Sequence, residues 1–261
     1  MTNPQQPIDK ILGDVVTGAA FDPYATQPAR TVAQAYALQD AVVAALLNAG
    51  HRMAIAGWKI AANSPQLLER FKLDEPATGR VFSDQSHQSP ATLAASDYTE
   101  FAFEPEIAAI MKTTLEPSKA PFTPADVRPA IARFVPAMEL LDMRKTDMPN
   151  THIPDAIAQN ISNVGAVLGG PGVPPEALDT AQLRTTLTID GRVEHDVTGA
   201  APQNPVDAVA WLATHLSRRG LTLQAGQIVL CGTHSPIWYH KGAGRIEVEM
   251  SGLGTAAVTL T

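Results

Sequence analysis

Phe101-Ala102-Phe103-Glu104-Pro105-Glu106-Ile107-Ala108-Ala109-Ile110-Met111 is an apolar run interrupted by two glutamates two residues apart. On a strand, side chains at i and i+2 leave the same face, so both carboxylates point one way. Two like charges side by side repel, and burying them is costly. A hard divalent cation such as Mg2+ or Mn2+ resolves that conflict by taking carboxylate oxygens. A solvated strand edge, with Glu104 and Glu106 both in water, resolves it too. A third acid separates the two readings. Pro136-Ala137-Met138-Glu139-Leu140-Leu141 sets a glutamate inside a second apolar strand, where a lone carboxylate is expensive unless paired or metal-bound. Three carboxylates make a metal site with positions left open for substrate and water.

Around these strands the pattern reads as helices first and sheet afterwards. Thr31 and Gln34 form a capping box ahead of a helix that runs to Ala49 and stops at Gly50. Residues 53–61 read as a strand, and Ser64-Pro65 opens a short helix. Thr123-Pro124 opens another helix, expected to end near Arg133. Residues 153–160 read as a helical turn, and Val164 to Leu168 as a buried strand ended by Gly169-Gly170-Pro171-Gly172. Asp190-Gly191 marks a hairpin. Asn204-Pro205 opens an amphipathic helix ending at Gly220, and residues 228–231, 245–250 and 256–260 read as strands. The expectation is an α+β fold with a mixed, rolled or barrel-like sheet. It is read as one catalytic domain, with a helical segment over 1–52 and a mixed β core over 53–261, and 169–175 is the best internal junction.

Several other residues carry possible chemistry. Lys59, in Gly57-Trp58-Lys59-Ile60, is either a lysine snorkelling from a sheet edge or a base or fixed positive charge beside an anionic substrate. Gln159-Asn160-Ile161-Ser162-Asn163 either presents amides and a hydroxyl to a ligand or is a plain loop-to-strand junction. Backbone N–H groups of Gly232-Thr233-His234-Ser235-Pro236 either bind a carboxylate or form a turn. His152, His234 and His240 lack zinc-ligand spacing. No P-loop, dinucleotide fingerprint or nucleophile elbow is present. Cys231 ends an apolar strand and reads as a core residue.

Composition narrows the classes. The 261 residues carry a net charge of −7 without a basic run, which argues against nucleic acid as a partner. One cysteine fits a reducing, cytoplasmic setting. The N-terminus does not read as a secretory signal, and no apolar stretch approaches the ~20 residues that span a bilayer. A charged fraction of 17% is low enough to suggest surface covered by other copies in a homo-oligomer.

Taken in order, the motifs resemble those of a known family. Gly57-Trp58-Lys59-Ile60 resembles its G-x-K-[IV] segment, and Leu73 to Phe82 its next characteristic stretch. Glu104-Pro105-Glu106-Ile107-Ala108 resembles E-x-E-I-A, Pro136-Ala137-Met138-Glu139 resembles P-A-[LM]-E, and Ala158-Gln159-Asn160-Ile161-Ser162 resembles A-D-N-x-S. Residues 223–232 and Ser251-Gly252-Leu253-Gly254 are similar to its closing motifs. The family is that of the 2-oxopent-4-enoate hydratases and 4-oxalocrotonate decarboxylases, within the fumarylacetoacetate-hydrolase-like superfamily.

The resemblance implies a mixed β-roll core with a helical N-terminal part, and a Mg2+ or Mn2+ ion held by Glu104, Glu106 and Glu139. It implies a small 2-oxo acid substrate whose carboxylate and 2-oxo oxygen meet the metal, which stabilises the enolate. Lys59 would move a proton or hold the carboxylate, Ser162 would hydrogen-bond substrate or water, and Asn160, Gly232 and Thr233 would line the substrate site. Two positions depart from the pattern. Ala77 stands where the hydratases usually carry Asp, and Gln159 where the family has Asp; His234 is either a replacement acid–base group or a space filler. The leading expectation is water addition to a 2-oxo-4-alkenoate. Decarboxylation or C–C hydrolysis of a related 2-oxo acid keeps the same site, and a ligand- or partner-binding paralogue without turnover is the alternative of another class.

Overall fold

The computed structural model describes residues 5–21 and 29–261. Two helices come first: α1 (Gln5–Thr17) and α2 (Val32–Asn48). At the start of α2 the Thr31 hydroxyl accepts from Gln34 N, and the Gln34 side chain accepts from Thr31 N. Ile11, Val42, Val43 and Leu46 join the two helices and pack on Phe82.

The strands and remaining helices follow as β1 (Ile55–Ala61), α3 (Pro65–Phe71), β2 (Ala77–Phe82), β3 (Ser86–Gln88), β4 (Ala91–Leu93), β5 (Phe101–Met111), α4 (Pro124–Val127), β6 (Ile131–Asp142), α5 (Ile153–Ala158), β7 (Asn163–Leu168), β8 (Gly170–Pro171), β9 (Arg184–Ile189), β10 (Arg192–Thr198), α6 (Pro205–Arg218), β11 (Ile228–Thr233), β12 (Trp238–Tyr239), β13 (Gly244–Met250) and β14 (Gly254–Leu260). The helix expected to reach Arg133 stops earlier because Pro129 has no N–H to continue the ladder, and Ile131 already belongs to β6. β2 escaped the sequence reading because both its faces are buried, which erases the alternation that marks a strand.

One sheet runs β2-β1-β11-β5-β6-β7-β3, with β12 also on β5; the other runs β10-β9-β13-β14-β4, with β8 on β14. The α+β class with mixed sheets holds, but the expected barrel-like closure is corrected to two open sheets. The apolar faces are covered by packing against each other rather than by closing. Phe103, Ile107 and Leu140 of the first sheet share one core with Ile246, Val248 and Val258 of the second, and Val209 and Leu212 of α6 enter it too. The glycine- and proline-rich stretch after β7 is where the chain crosses from the first sheet to the second.

The first sheet's other face is lined by smaller groups, including Ala108, Ala137, Ala166, Val81 and Leu230. Alternation along β5 sends Phe103 and Ile107 to the shared core, so Glu104, Glu106 and Ala108 point the other way.

Candidate active site

Three glutamates and one lysine meet on that second face. Glu104 stands directly opposite Glu139 on the β5–β6 ladder. Glu106 is two residues along on the same side. Lys59 comes from β1, where it lies beside Leu230 of β11 and Gly79 of β2. Its ammonium reaches Glu139 Oε1 at 3.0 Å. Gly79 makes room for this: a Cβ there would stand 2.9 Å from Asn160 O and 3.3 Å from Lys59 Cγ.

Pro105, between the two glutamates, brings no N–H to the sheet. The β5–β11 ladder breaks between Leu230 and Thr233. In that break Gly232 N–H turns inward and donates to Glu106 Oε2 at 2.7 Å. Gly232 has φ +114, and a Cβ would lie 2.5 Å from Asn63 Nδ2, so only glycine fits.

The site is buried. Glu106, Glu139 and Lys59 are 1%, 0% and 3% exposed, whereas Glu104 retains solvent contact. Burial pushes Glu104 up to about 8, assisted by the charge of Glu139 and opposed by Lys59 and Thr233. Burial, then Glu139 and Glu104, holds Glu106 well above the ordinary carboxylate range. Burial alone would lower the Lys59 pKa. The nearby glutamates, Glu139 foremost, outweigh it and hold its pKa above the usual lysine value. One lysine cannot neutralise three carboxylates, and Glu139 Oε2 is buried with no hydrogen-bond partner among the described residues.

Oxygens from Glu104, Glu106 and Glu139 lie within 4.8 Å of one another. A hard divalent cation suits such an all-oxygen set, and the excess negative charge and orphaned oxygen both fit one.

The other candidate residues take different places. Asn160 is committed to the backbone of Arg80: its Oδ1 accepts from Arg80 N at 2.6 Å and its Nδ2 donates to Arg80 O at 2.8 Å. Asn160, Ile161 and Ser162 are all left-handed, with φ of 61, 51 and 58, a costly run that this clamp holds in place. Ser162 lines a cavity between the N-terminal helices and the start of β7, together with Val42, Leu46, Arg144 and Asn163. The Gly232 N–H is bonded to the protein's own Glu106.

Thr233 lies beside Glu104 and also bonds Ser235 O. His234 faces away from the glutamates: its ring Nδ1 pairs with Thr185 Oγ1 at 2.8 Å, its backbone N–H donates to Pro105 O, and burial lowers its pKa to about 4. Ala77 is buried among Ala35, Tyr36 and Ile157, and Gln159 accepts from Arg144 Nη2.

Asn163, read from the sequence only as part of the 159–163 polar cluster, touches the site, and Arg80, which holds the Asn160 turn beside it, was missed. Asn163 donates to Glu139 Oε1 at 2.9 Å. Its signal was an amide opening a strand of small apolar residues. Arg80 is buried over the Trp58 ring, bonded to Gln39 and Asp40, and carries the Asn160 clamp on its backbone. Nothing local in the sequence marks an arginine for burial.

Known proteins share this architecture. Residues 58–261 match the family described as fumarylacetoacetate (FAA) hydrolase C-terminal. The chain is 32% identical over 237 residues to a 2-keto-4-pentenoate hydratase of Burkholderia vietnamiensis, covering 90% of this chain and 88% of that protein. It is 30% identical over 222 residues to a 2-oxo-hept-4-ene-1,7-dioate hydratase of Escherichia coli, covering 82% of each. In structure it is similar to a 4-oxalocrotonate decarboxylase from Pseudomonas putida G7, solved with magnesium and adipate. The TM-score is 0.89 at 22% identity, over 100% of this chain and 99% of that one. The chain belongs to the fumarylacetoacetate hydrolase family, in the same group of proteins as the 2-keto-4-pentenoate hydratases.

Proposed function

We propose that this protein is a divalent-metal-dependent hydro-lyase that adds water to a 2-oxo-4-alkenoate such as 2-hydroxypenta-2,4-dienoate. The observation that carries the reading is the buried group of Glu104, Glu106 and Glu139, with Lys59 on one oxygen of Glu139 and the other oxygen unpartnered. Mg2+ or Mn2+ held there would supply a Lewis acid for the oxygens of a 2-oxo acid. Lys59, buried and protonated, supplies a fixed positive charge and a proton at the same place. Ser162, at the edge of the adjoining cavity, hydrogen-bonds substrate or water. Thr233 lines the side of Glu104. Proton delivery to the dienol chain gives the conjugated 2-oxo acid, and water then adds at C4 to give a 4-hydroxy-2-oxo acid. His234 holds its loop to Thr185 in this scheme and has no part in proton transfer. The low charged fraction supports a homo-oligomer, and the lone, buried Cys231 a cytoplasmic setting.

The test is the ultraviolet band of freshly generated 2-hydroxypenta-2,4-dienoate, followed with Mg2+ or Mn2+ against an EDTA control. Metal-dependent loss of the band with 4-hydroxy-2-oxopentanoate as product supports the reading. Full activity in EDTA, or in Glu106→Ala, counts against the site.

Ala77 favours a second reading. Its methyl sits in an apolar cluster and offers no acid–base group there to handle water, which suits decarboxylation of a related 2-oxo diacid; C–C hydrolysis is the other reaction the same site would support. Release of CO2, or of two acid products, from such a substrate would distinguish it from hydration.

A further inference from the structure

The ladder between β6 and β7 contains a bulge. Leu140 opposes Gly165, but Leu141 opposes Asn163, so Val164 is the extra residue. A bulge re-aims the side chains beyond it. Without it Asn163 would leave the sheet on the shared-core face; with it Asn163 points to the same side as Leu141 and Glu139. There its Nδ2 donates to Glu139 Oε1 at 2.9 Å and to Gly165 O at 3.2 Å, and its Oδ1 accepts from Gly165 N at 3.1 Å. Lys59 Nζ meets the same Glu139 oxygen at 3.0 Å. Both donors therefore crowd onto Oε1, while Oε2 is buried with no partner among the described residues.

The terminal torsion of a glutamate is broad and roughly two-fold, so a free carboxylate exchanges its oxygens easily. Donors on one side break that symmetry. The geometry points to Asn163 as a positioning residue for a divalent cation: together with Lys59 it takes Oε1 of Glu139 and so presents Oε2 to the space shared with Glu104 and Glu106. This rests on the metal-site reading above. The two bonds to Gly165 are a local turn that any short acceptor could supply in part. The bond to Glu139 needs the amide N–H and the length of asparagine.

Asn163→Ser keeps an acceptor for Gly165 N–H and loses the reach to Glu139; Asn163→Ala loses both. Each is made in the full chain and stripped with EDTA. Free Mn2+ is then titrated by electron paramagnetic resonance, and thermal melting of the metal-free protein is recorded alongside. The expected result is Mn2+ affinity weakened about 10–100-fold in both variants, the range for losing an outer-sphere partner, with metal-free melting of Asn163→Ser close to that of the unaltered protein. Unchanged Mn2+ affinity in folded variants overturns the inference and leaves the metal site standing. Failure of both variants to fold without metal overturns it as well, marking Asn163 as a tie to Gly165 alone. If the unaltered protein binds neither Mn2+ nor Mg2+, the functional reading itself falls.

Discussion

Glu104 and Glu139 are direct partners on adjacent antiparallel strands, with Lys59 bound to only one of them. Cross-strand like charges destabilise a sheet, and here the pair is joined by Glu106 in a largely water-free setting. The protein therefore holds a group of charges that no hydrogen bond among the described residues fully satisfies. Such frustration is characteristic of sites built to bind rather than to stabilise.

Metal-free protein should lose stability as pH rises. The Glu104 carboxyl is pushed from 4.5 up to about 8, and Glu106 moves the same way. A raised carboxyl keeps its proton more readily in the folded than in the unfolded state. Stability therefore falls as pH climbs from the ordinary carboxylate range through about 8. Thermal melts in EDTA should show a falling Tm across that window, and added Mg2+ or Mn2+ should flatten the fall. A flat profile in EDTA would contradict the buried-charge account.

Glu106→Gln should move stability and activity in opposite directions. The amide oxygen still accepts from Gly232 N–H, and the cost of burying a carboxyl whose charged form burial and its neighbours disfavour is gone. Near neutral pH the metal-free variant should gain about 1 kcal/mol or more, read from urea midpoints. Its metal-dependent turnover should disappear. Loss of both stability and activity would instead indicate a structural role for the carboxylate.

Lys59→Met keeps the buried stem and removes the charge. Breaking a buried ion pair by deleting one partner costs about 3–5 kcal/mol, and the metal-free variant should show a loss of that order by chemical denaturation near neutral pH. Divalent metal should restore part of it, because a cation can replace the missing positive charge, while turnover stays low. An unchanged midpoint would contradict the buried ion-pair account.

Gly232→Ala should perturb the site through the backbone. The new Cβ would meet Asn63 Nδ2 at 2.5 Å and Pro202 Cγ at 2.6 Å, at a φ of +114. Strain of this kind costs about 1–3 kcal/mol. The N–H that holds Glu106 Oε2 would also shift, so Mn2+ affinity should fall together with the urea midpoint.

His234 should leave no mark on the activity profile near neutral pH. Burial lowers its pKa to about 4, so it stays neutral from the ordinary histidine value of 6.5 down to that point. The unfolded chain takes up the proton first. The ring therefore subtracts stability as pH falls from 6.5 towards 4. His234→Gln should keep turnover within a few-fold and soften the acid-side loss of stability in thermal melts.

The local part of this fold was legible in the sequence. Thr31 with Gln34, Ser64 ahead of Pro65, Asn204 ahead of Pro205 and Asp190-Gly191 each mark a boundary through bonds made within a few residues. The alternation along residues 101–111 sent Glu104 and Glu106 to one face, because a two-residue repeat is a property of the strand alone. The acid inside the 136–141 strand announced a buried charge that needs a partner. β2 was not legible, since burial on both faces leaves no repeat to read.

Tertiary structure alone decided which partners those charges have. Opposing Glu104 to Glu139, 35 residues apart in the chain, is a matter of register between two strands. Bringing Lys59 to Glu139 depends on β11 entering the sheet between β1 and β5. The inward N–H of Gly232 and the amide of Asn163 depend on breaks in two ladders, at Leu230/Thr233 and Leu140/Leu141. The same long-range packing turned His234 towards Thr185 and tied Asn160 to Arg80. By itself the sequence determined which groups would be costly to bury. Only register, strand order and bulges, which arise from contacts distant along the chain, decided which neighbours they met.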